Sequence, residues 1–197
     1  MTDALLDRAN LFVQDLDRRI GPEVLHRSAL GPNHPDTGLH RPDVQRMLAT
    51  VQRWKPTHMV EIGTHYAVTA AVLGMVCERV TTFNLLVYRQ WIVPAILRIA
   101  GVSNVTECLP RNDIEKGEML MGMDFDAAFV DGMHAYRSLK FDFEQVRKCG
   151  RVIFHDLTLT RPPRPDVARF VGELAASGDG TVTHDDMFAY WTAKGKA

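Results

Sequence analysis

Two short segments hold the residue types most able to do chemistry. Asp131-Gly132-Met133-His134-Ala135-Tyr136 follows the apolar run Ala127-Ala128-Phe129-Val130, and His155-Asp156 follows Val152-Ile153-Phe154. Each run reads as a strand that ends at a carboxylate and an imidazole. If the two strands are neighbours in one sheet, Asp131, His134, His155 and Asp156 converge on one crevice at the strands' carboxyl ends, where open α/β sheets bind ligands. Two carboxylates there suit a hard divalent cation such as magnesium, which takes oxygen ligands and keeps several waters. An imidazole beside them suits proton transfer, because its ordinary pKa of about 6.5 lets it exchange protons near neutral pH. Taken singly, each residue is open to a structural role as well: Asp131 as a helix cap, His155 as a donor to a backbone carbonyl.

A third segment, Val60-Glu61-Ile62-Gly63-Thr64-His65-Tyr66-Ala67, puts an acid and a glycine at the end of another strand, just before a helix that begins near Val68. A glycine there lets backbone approach a ligand closely, and the helix's first turn offers unpaired N–H groups. Alternatively, Gly63 only makes a tight turn and Glu61 is a paired or solvated carboxylate. A dinucleotide site would use G-x-G-x-x-G at this turn and an acid at the end of the second strand. One glycine is present, and Thr81-Thr82-Phe83 is followed by Asn84, so a nicotinamide-dependent dehydrogenase is disfavoured. His65 sits in the same turn and is a candidate for the pocket lining. His26, His34, His40, His58 and His184 lack comparable settings and read as surface or loop histidines.

The elements that must position these groups follow from periodicity. Leu5, Leu6, Ala9, Phe12, Val13, Leu16 and Ile20 recur at three- and four-residue intervals, predicting an amphipathic helix from Asp3 to Ile20. Gly21 to Arg41 is dense in glycine and proline and reads as a loop or lid. A second helix runs from Asp43 to Trp54 and is stopped by Lys55-Pro56. Strands are then predicted at 58–62, 80–83, 104–106, 127–130 and 151–154, with helices between them, the pattern of a parallel sheet with crossover helices. A helix over 166–176 precedes two strands, 181–183 and 188–192, around an Asp-rich turn, which suits an antiparallel addition to the sheet. The organisation expected is an N-terminal helix and lid over residues 1–42 and one α/β domain over 43–197.

With 197 residues and 46% hydrophobic content, one compact domain is expected. Lys and Arg number 23 and Asp and Glu 24, for a formal net charge of -1, so no overall field favours nucleic acid or an anionic membrane. No apolar run approaches the roughly 18 residues that span a bilayer, and a soluble, cytoplasmic protein is expected. Cys77, Cys108 and Cys149 form no C-x-x-C pair and read as small apolar packing residues. The stripe of the first helix fits its own sheet or a second subunit, leaving a homo-oligomer open.

On Asp131-Gly132-Met133-His134-Ala135-Tyr136 and His155-Asp156 the chain resembles the class I S-adenosylmethionine-dependent methyltransferases. Within them it resembles the branch of methyltransferase family 24 and the macrocin-type O-methyltransferases. The likeness runs from about Asp43 to the C-terminus. It implies a doubly wound, Rossmann-like, seven-stranded, mostly parallel sheet with the last strand antiparallel, and S-adenosylmethionine at the tips of strands one, two and four. By the same resemblance Glu61, Gly63, Thr64, His65, Asn84, Asp131 and Gly132 bind the cofactor. Asp131 and Asp156, with His155, hold Mg2+, and His134 is the general base. Two positions depart from the pattern: Ala67 or Val68 stands where the family has a second glycine, and Asn84 where it has an acid for the ribose hydroxyls.

The resulting expectation is metal-assisted O-methylation of a hydroxylated small molecule, with neither nucleic acid nor membrane as partner. The departures motivate a second expectation, a methyltransferase-like module that binds without catalysis. A nucleic-acid methyltransferase is less favoured, since no Asn-Pro-Pro-aromatic motif follows the fourth strand and no basic-aromatic stripe is present. Arg161 and Arg164 are open to holding an anionic substrate, or to simple solvation.

Overall fold

The computed structural model describes residues 3–20, 42–85, 92–157 and 165–196. The expected lid, the segment 158–164, and with them His26, His34, His40, Arg161 and Arg164, lie outside the described residues. The elements are α1 (Asp3–Ile20), α2 (Pro42–Trp54), β1 (His58–Ile62), α3 (Val68–Gly74), β2 (Arg79–Phe83), α4 (Val93–Ala100), β3 (Val105–Cys108), α5 (Asp113–Met121), β4 (Ala127–Val130), α6 (Tyr136–Val146), β5 (Arg151–Phe154), α7 (Pro165–Ser177), β6 (Gly180–His184) and β7 (Ala189–Ala193).

The strands form one sheet in the order β3-β2-β1-β4-β5-β7-β6. The β1 to β5 pairings are parallel, while β7 runs antiparallel to both β5 and β6. Every residue of β1 and β4 is buried, because helices cover both faces; that is why these strands read as continuous apolar runs rather than alternating ones. On one face Met59, Phe129, Ile153 and Phe188 pack with α1 to α4, including Ala9, Phe12 and Leu16 of the first helix. On the other Val60, Ile62, Phe83, Val130 and Phe154 pack with α6 and α7. The stripe of α1 thus meets its own domain, and Arg8 reaches the carbonyls of Ala100 and Gly101 past the end of α4. Among the described residues no helix is long and apolar enough to cross a membrane.

Two readings of the sequence need correction. The third strand begins at Val105 rather than Asn104, because the Asn104 amide turns back to donate to the carbonyls of Gly74, Cys77 and Glu78, while Glu107 and Cys108 pair with Thr82 and Phe83. His58 is no surface histidine. It is 4% exposed at the start of β1, its Nε2 is 2.8 Å from the Thr81 hydroxyl and its Nδ1 2.6 Å from the Asp124 carbonyl oxygen, and burial lowers its pKa.

Chain order reverses between β1 and β4, and the strand tips there are held tightly together. Asp131 N–H donates to the Ile62 carbonyl at 2.8 Å, and His155 N–H to the Val130 carbonyl at 3.1 Å. A Cβ on Gly63, whose φ is +109°, would stand 2.2 Å from the Asp131 carbonyl oxygen, so only glycine lets the tips of β1 and β4 approach this closely.

Candidate functional site

At this switch point the tips enclose a cavity of about 600 Å³. Its walls include Ile62 and Gly63 from β1 and its turn, Phe83 and Asn84 from β2, and Asp131, Gly132 and His134 after β4. His65 also lines it. The turn that carries His65 is unusual: His65 has φ +46° and Ala67 φ +60°, a left-handed conformation that L-residues avoid. Of Ala67 and Val68, the two candidates for the expected second-glycine position, Ala67 is the one with positive φ, and its methyl is fully buried.

Beside the cavity the four residues singled out from the sequence come together. One ligand atom from each of Asp131, His134, His155 and Asp156 can be chosen so that all lie within 4.8 Å of one another. His155 Nδ1 is 2.9 Å from Asp131 Oδ1 and 3.2 Å from Asp156 Oδ1. His134 Nε2 is 2.9 Å from Asp156 Oδ2 and 3.5 Å from Asp131 Oδ1. Asp156 has φ +62°, a strained geometry of the kind that accumulates at functional sites.

The electrostatics follow from this packing. Burial alone would raise the Asp131 pKa, but His155 and His134 outweigh it and hold the carboxyl at about 2. Burial opposes charge on His134, yet contact with Asp131 and Asp156 outweighs it and raises the imidazole to about 9. His155 is raised in the same way, burial opposing and Asp131 prevailing. The cluster thus sets two carboxyl groups against two imidazoles, with Asp131 held low and both rings raised by their contacts with it. Its donors fit a divalent ion: the carboxylate oxygens suit magnesium, and an imidazole nitrogen extends the range to manganese, iron or zinc.

The two histidines are not equivalent. His134 is on the cavity wall, whereas His155 is not among the lining residues and lies 5.3 Å from the Phe188 ring and 6.3 Å from that of Phe129, centroid to centroid. Tyr136, the last residue of its motif, faces outward, its ring under Arg169 and its hydroxyl donating to Glu173. Its backbone N–H, the first of α6, donates to Asp166 on α7.

Two of the expected cofactor residues lie off the cavity wall. Glu61 is completely buried on β1, where the Thr82 hydroxyl donates to its Oε2 at 2.5 Å. Thr64 hydrogen-bonds the same Thr82 hydroxyl at 2.6 Å, so the Thr64-Thr82-Glu61 chain ties the turn after β1 to β2. Burial raises the Glu61 pKa to about 8 against the pull of the Thr82 hydrogen bond.

A polar group on the cavity wall, with Asp142 close to Gly132, went unnoticed in the sequence. Lys116 of α5, 3% exposed, places Nζ 2.6 Å from Asp142 Oδ1 and 2.7 Å from Asp113 Oδ1, and all three residues line the cavity. Burial draws the Asp142 carboxyl upward more than the Lys116 charge draws it down. The available signal was on α6: Asp142 falls on the same face as Leu139, Phe143 and Val146, a position that should be apolar. The start of α5 is fixed by Asn112, which accepts from the Glu115 N–H at 2.9 Å, and the Glu115 carboxylate accepts in turn from the Arg111 N–H.

No protein-family model and no curated protein matches the sequence. Solved structures do match in shape. The O-methyltransferase of Bacillus cereus, in complex with S-adenosylhomocysteine, is 17% identical with a TM-score of 0.64, over 98% of this chain and 92% of that one. TomG of Streptomyces achromogenes, an O-methyltransferase involved in tomaymycin synthesis and in complex with S-adenosylmethionine, is 19% identical with a TM-score of 0.63, over 99% and 92%. The S-adenosylhomocysteine-bound methyltransferase PaMTH1 of Podospora anserina is 15% identical with a TM-score of 0.60, over 98% and 89%. With its seven strands, antiparallel β7 and helices on both faces, this chain has the Rossmann-like fold of the O-methyltransferases.

Proposed function

We propose that the chain is an S-adenosylmethionine-dependent methyltransferase that modifies a hydroxyl group of a small molecule with the help of a divalent cation. The observation that carries this reading is the placement of the Asp131-His134-His155-Asp156 cluster beside a cavity roofed by the glycine tip of β1. Ligand-bound neighbours in fold support it.

Asp131 and Asp156, with His155, would hold the cation. When bound, S-adenosylmethionine supplies an electrophilic methyl group and the cation lowers the pKa of a hydroxyl beside it. His134, the imidazole that reaches the cavity wall, would act as the base in its neutral form, accepting the acceptor's proton at Nε2. Gly63 and Gly132 let backbone approach the cofactor, His65 and Asn84 bound its pocket, and Thr64 and Glu61 hold the turn from beneath. Methyl transfer asks little covalent chemistry of the protein, so alignment by these walls carries much of the acceleration.

Calorimetry with S-adenosylmethionine and S-adenosylhomocysteine, in the presence of magnesium or manganese, tests the reading; absence of binding at millimolar concentration refutes it. S-adenosylhomocysteine release with a panel of hydroxylated acceptors tests turnover. His134→Ala should bind cofactor and lose turnover, and unchanged turnover removes the base assignment. A non-catalytic binding module is the second reading, favoured by Asn84 and by Ala67 in its left-handed conformation. Cofactor binding without turnover on any acceptor would support it.

A further inference from the structure

Asn84 closes β2, is 3% exposed and lines the cavity. Its backbone N–H donates to the Cys108 carbonyl at 3.0 Å, which fixes the tip of β2 against β3. Its side-chain Nδ2 donates to Glu107 Oε1 at 3.2 Å. Glu107 itself is half-buried on β3, in register with Thr82, and is not among the residues that line the cavity. The strand-end position on the cavity wall thus carries an amide, and a carboxylate stands one strand further out, hydrogen-bonded to that amide.

We propose that Glu107 is a positioning residue for the nucleoside end of the cavity, supplying through Asn84 the negative charge that an amide lacks. The proposal rests on the cofactor reading above. An amide that donates N–H to a carboxylate is polarised, and its carbonyl oxygen becomes the better acceptor, because successive hydrogen bonds reinforce one another in a region of low dielectric. Glu107 also fixes which way the amide is turned: with Nδ2 on the carboxylate, the two ends of the Asn84 side chain are distinguished. Vicinal ribose hydroxyls are donors, and a charge-assisted acceptor is the group that suits them. Acid and amide have in effect exchanged strands, and the pair does together what one carboxylate at position 84 would do alone.

The exchange can be reversed without changing shape, since Asn84→Asp and Glu107→Gln are each isosteric. Calorimetry on the full chain compares S-adenosylhomocysteine with its 2′-deoxyribose analogue across wild type, Glu107→Gln, Asn84→Asp and the double variant. Glu107→Gln should weaken S-adenosylhomocysteine about tenfold, in the range of one charge-assisted hydrogen bond, and leave the deoxy analogue nearly unchanged. Asn84→Asp alone should bring no gain, because it sets two carboxylates against each other. The double variant should regain wild-type affinity. Equal weakening of both ligands by Glu107→Gln, unchanged affinity, tighter binding by Asn84→Asp alone, or a double variant no better than Glu107→Gln would each overturn the proposal while leaving the cofactor reading intact. A wild-type chain that binds neither ligand removes both.

Discussion

Replacing Glu61 with glutamine isolates the cost of a single carboxyl sealed inside the sheet. Glu61 is 0% exposed, sits between Thr82 and Phe129 in register, and receives one hydrogen bond, from Thr82, at Oε2. Burial raises its pKa from 4.5 to about 8, with Asp131 adding to the rise. The folded chain therefore keeps a proton that the unfolded chain releases above about pH 4.5. For an acid raised on folding, its contribution is fully present below the unfolded pKa and is lost as pH climbs to the folded one. The loss is about 1.4 kcal/mol per pH unit, or roughly 5 kcal/mol across the interval as an upper bound. Glu61→Gln keeps the acceptor for Thr82 and cannot ionise. Urea unfolding of both proteins from pH 5.5 to pH 8 should show the variant gaining about 3 kcal/mol relative to wild type. Histidines and surface acids titrate in both proteins and cancel in the difference. Parallel stability curves would refute the reasoning, because they would mean that Glu61 is charged in the fold or exposed to water.

Gly63→Ala sets a methyl 2.2 Å from the backbone oxygen of Asp131 at a φ of +109°, and should cost more than about 3 kcal/mol, read as a fall in Tm of about 10 °C; an unchanged Tm would show that the strand tips separate easily. Lys116→Met strands Asp142, whose side chain is 3% exposed, and should cost about 3–5 kcal/mol in chemical denaturation, most of it recovered by adding Asp142→Leu. A neutral single variant would mean that the pair is not desolvated. Manganese or magnesium at 100 times its Kd should stabilise the chain by about 2.7 kcal/mol, and Asp131→Asn with Asp156→Asn should abolish the effect in a thermal-shift assay. An identical Tm with cation and with chelator would argue against a cation at the cluster.

The parts of the site legible in the sequence were those fixed by strand tips. A run such as Ala127–Val130 reads as a buried strand whatever surrounds it, and the residue after its last member must emerge at the sheet's carboxyl edge; Asp131 and His155 follow from that rule, and Asp156 stands one residue beyond. What depends on the partner element was not legible. His58 looked like a surface residue because nothing local says that Thr81 and the Asp124 carbonyl oxygen flank it. Lys116 belongs to a helix whose polar and apolar faces are weakly separated, and its importance lies in Asp142, 26 positions later. Glu61 was placed at the correct strand end, yet its depth beneath the cavity follows from Thr82 and Phe129 on the adjacent strands. The Ala67 conformation was hidden for a different reason: alanine seldom adopts a left-handed backbone, so the residue type argues against the geometry found.

The position of β7 between β5 and β6 bears on how the molecule is made. Until residues 189–193 emerge from the ribosome, β5 has an unpaired edge and β6 has no place in the sheet. His155 and Asp156, at the tip of β5, lean on the segment just before β7: Leu157 N–H donates to the Met187 carbonyl, and the Phe188 ring stands beside His155. The nascent chain can therefore assemble the β1-to-β4 half early, but the cluster acquires its final geometry only when this late strand inserts, a long-range closure that makes folding slow and leaves β5 exposed to misassociation in the meantime.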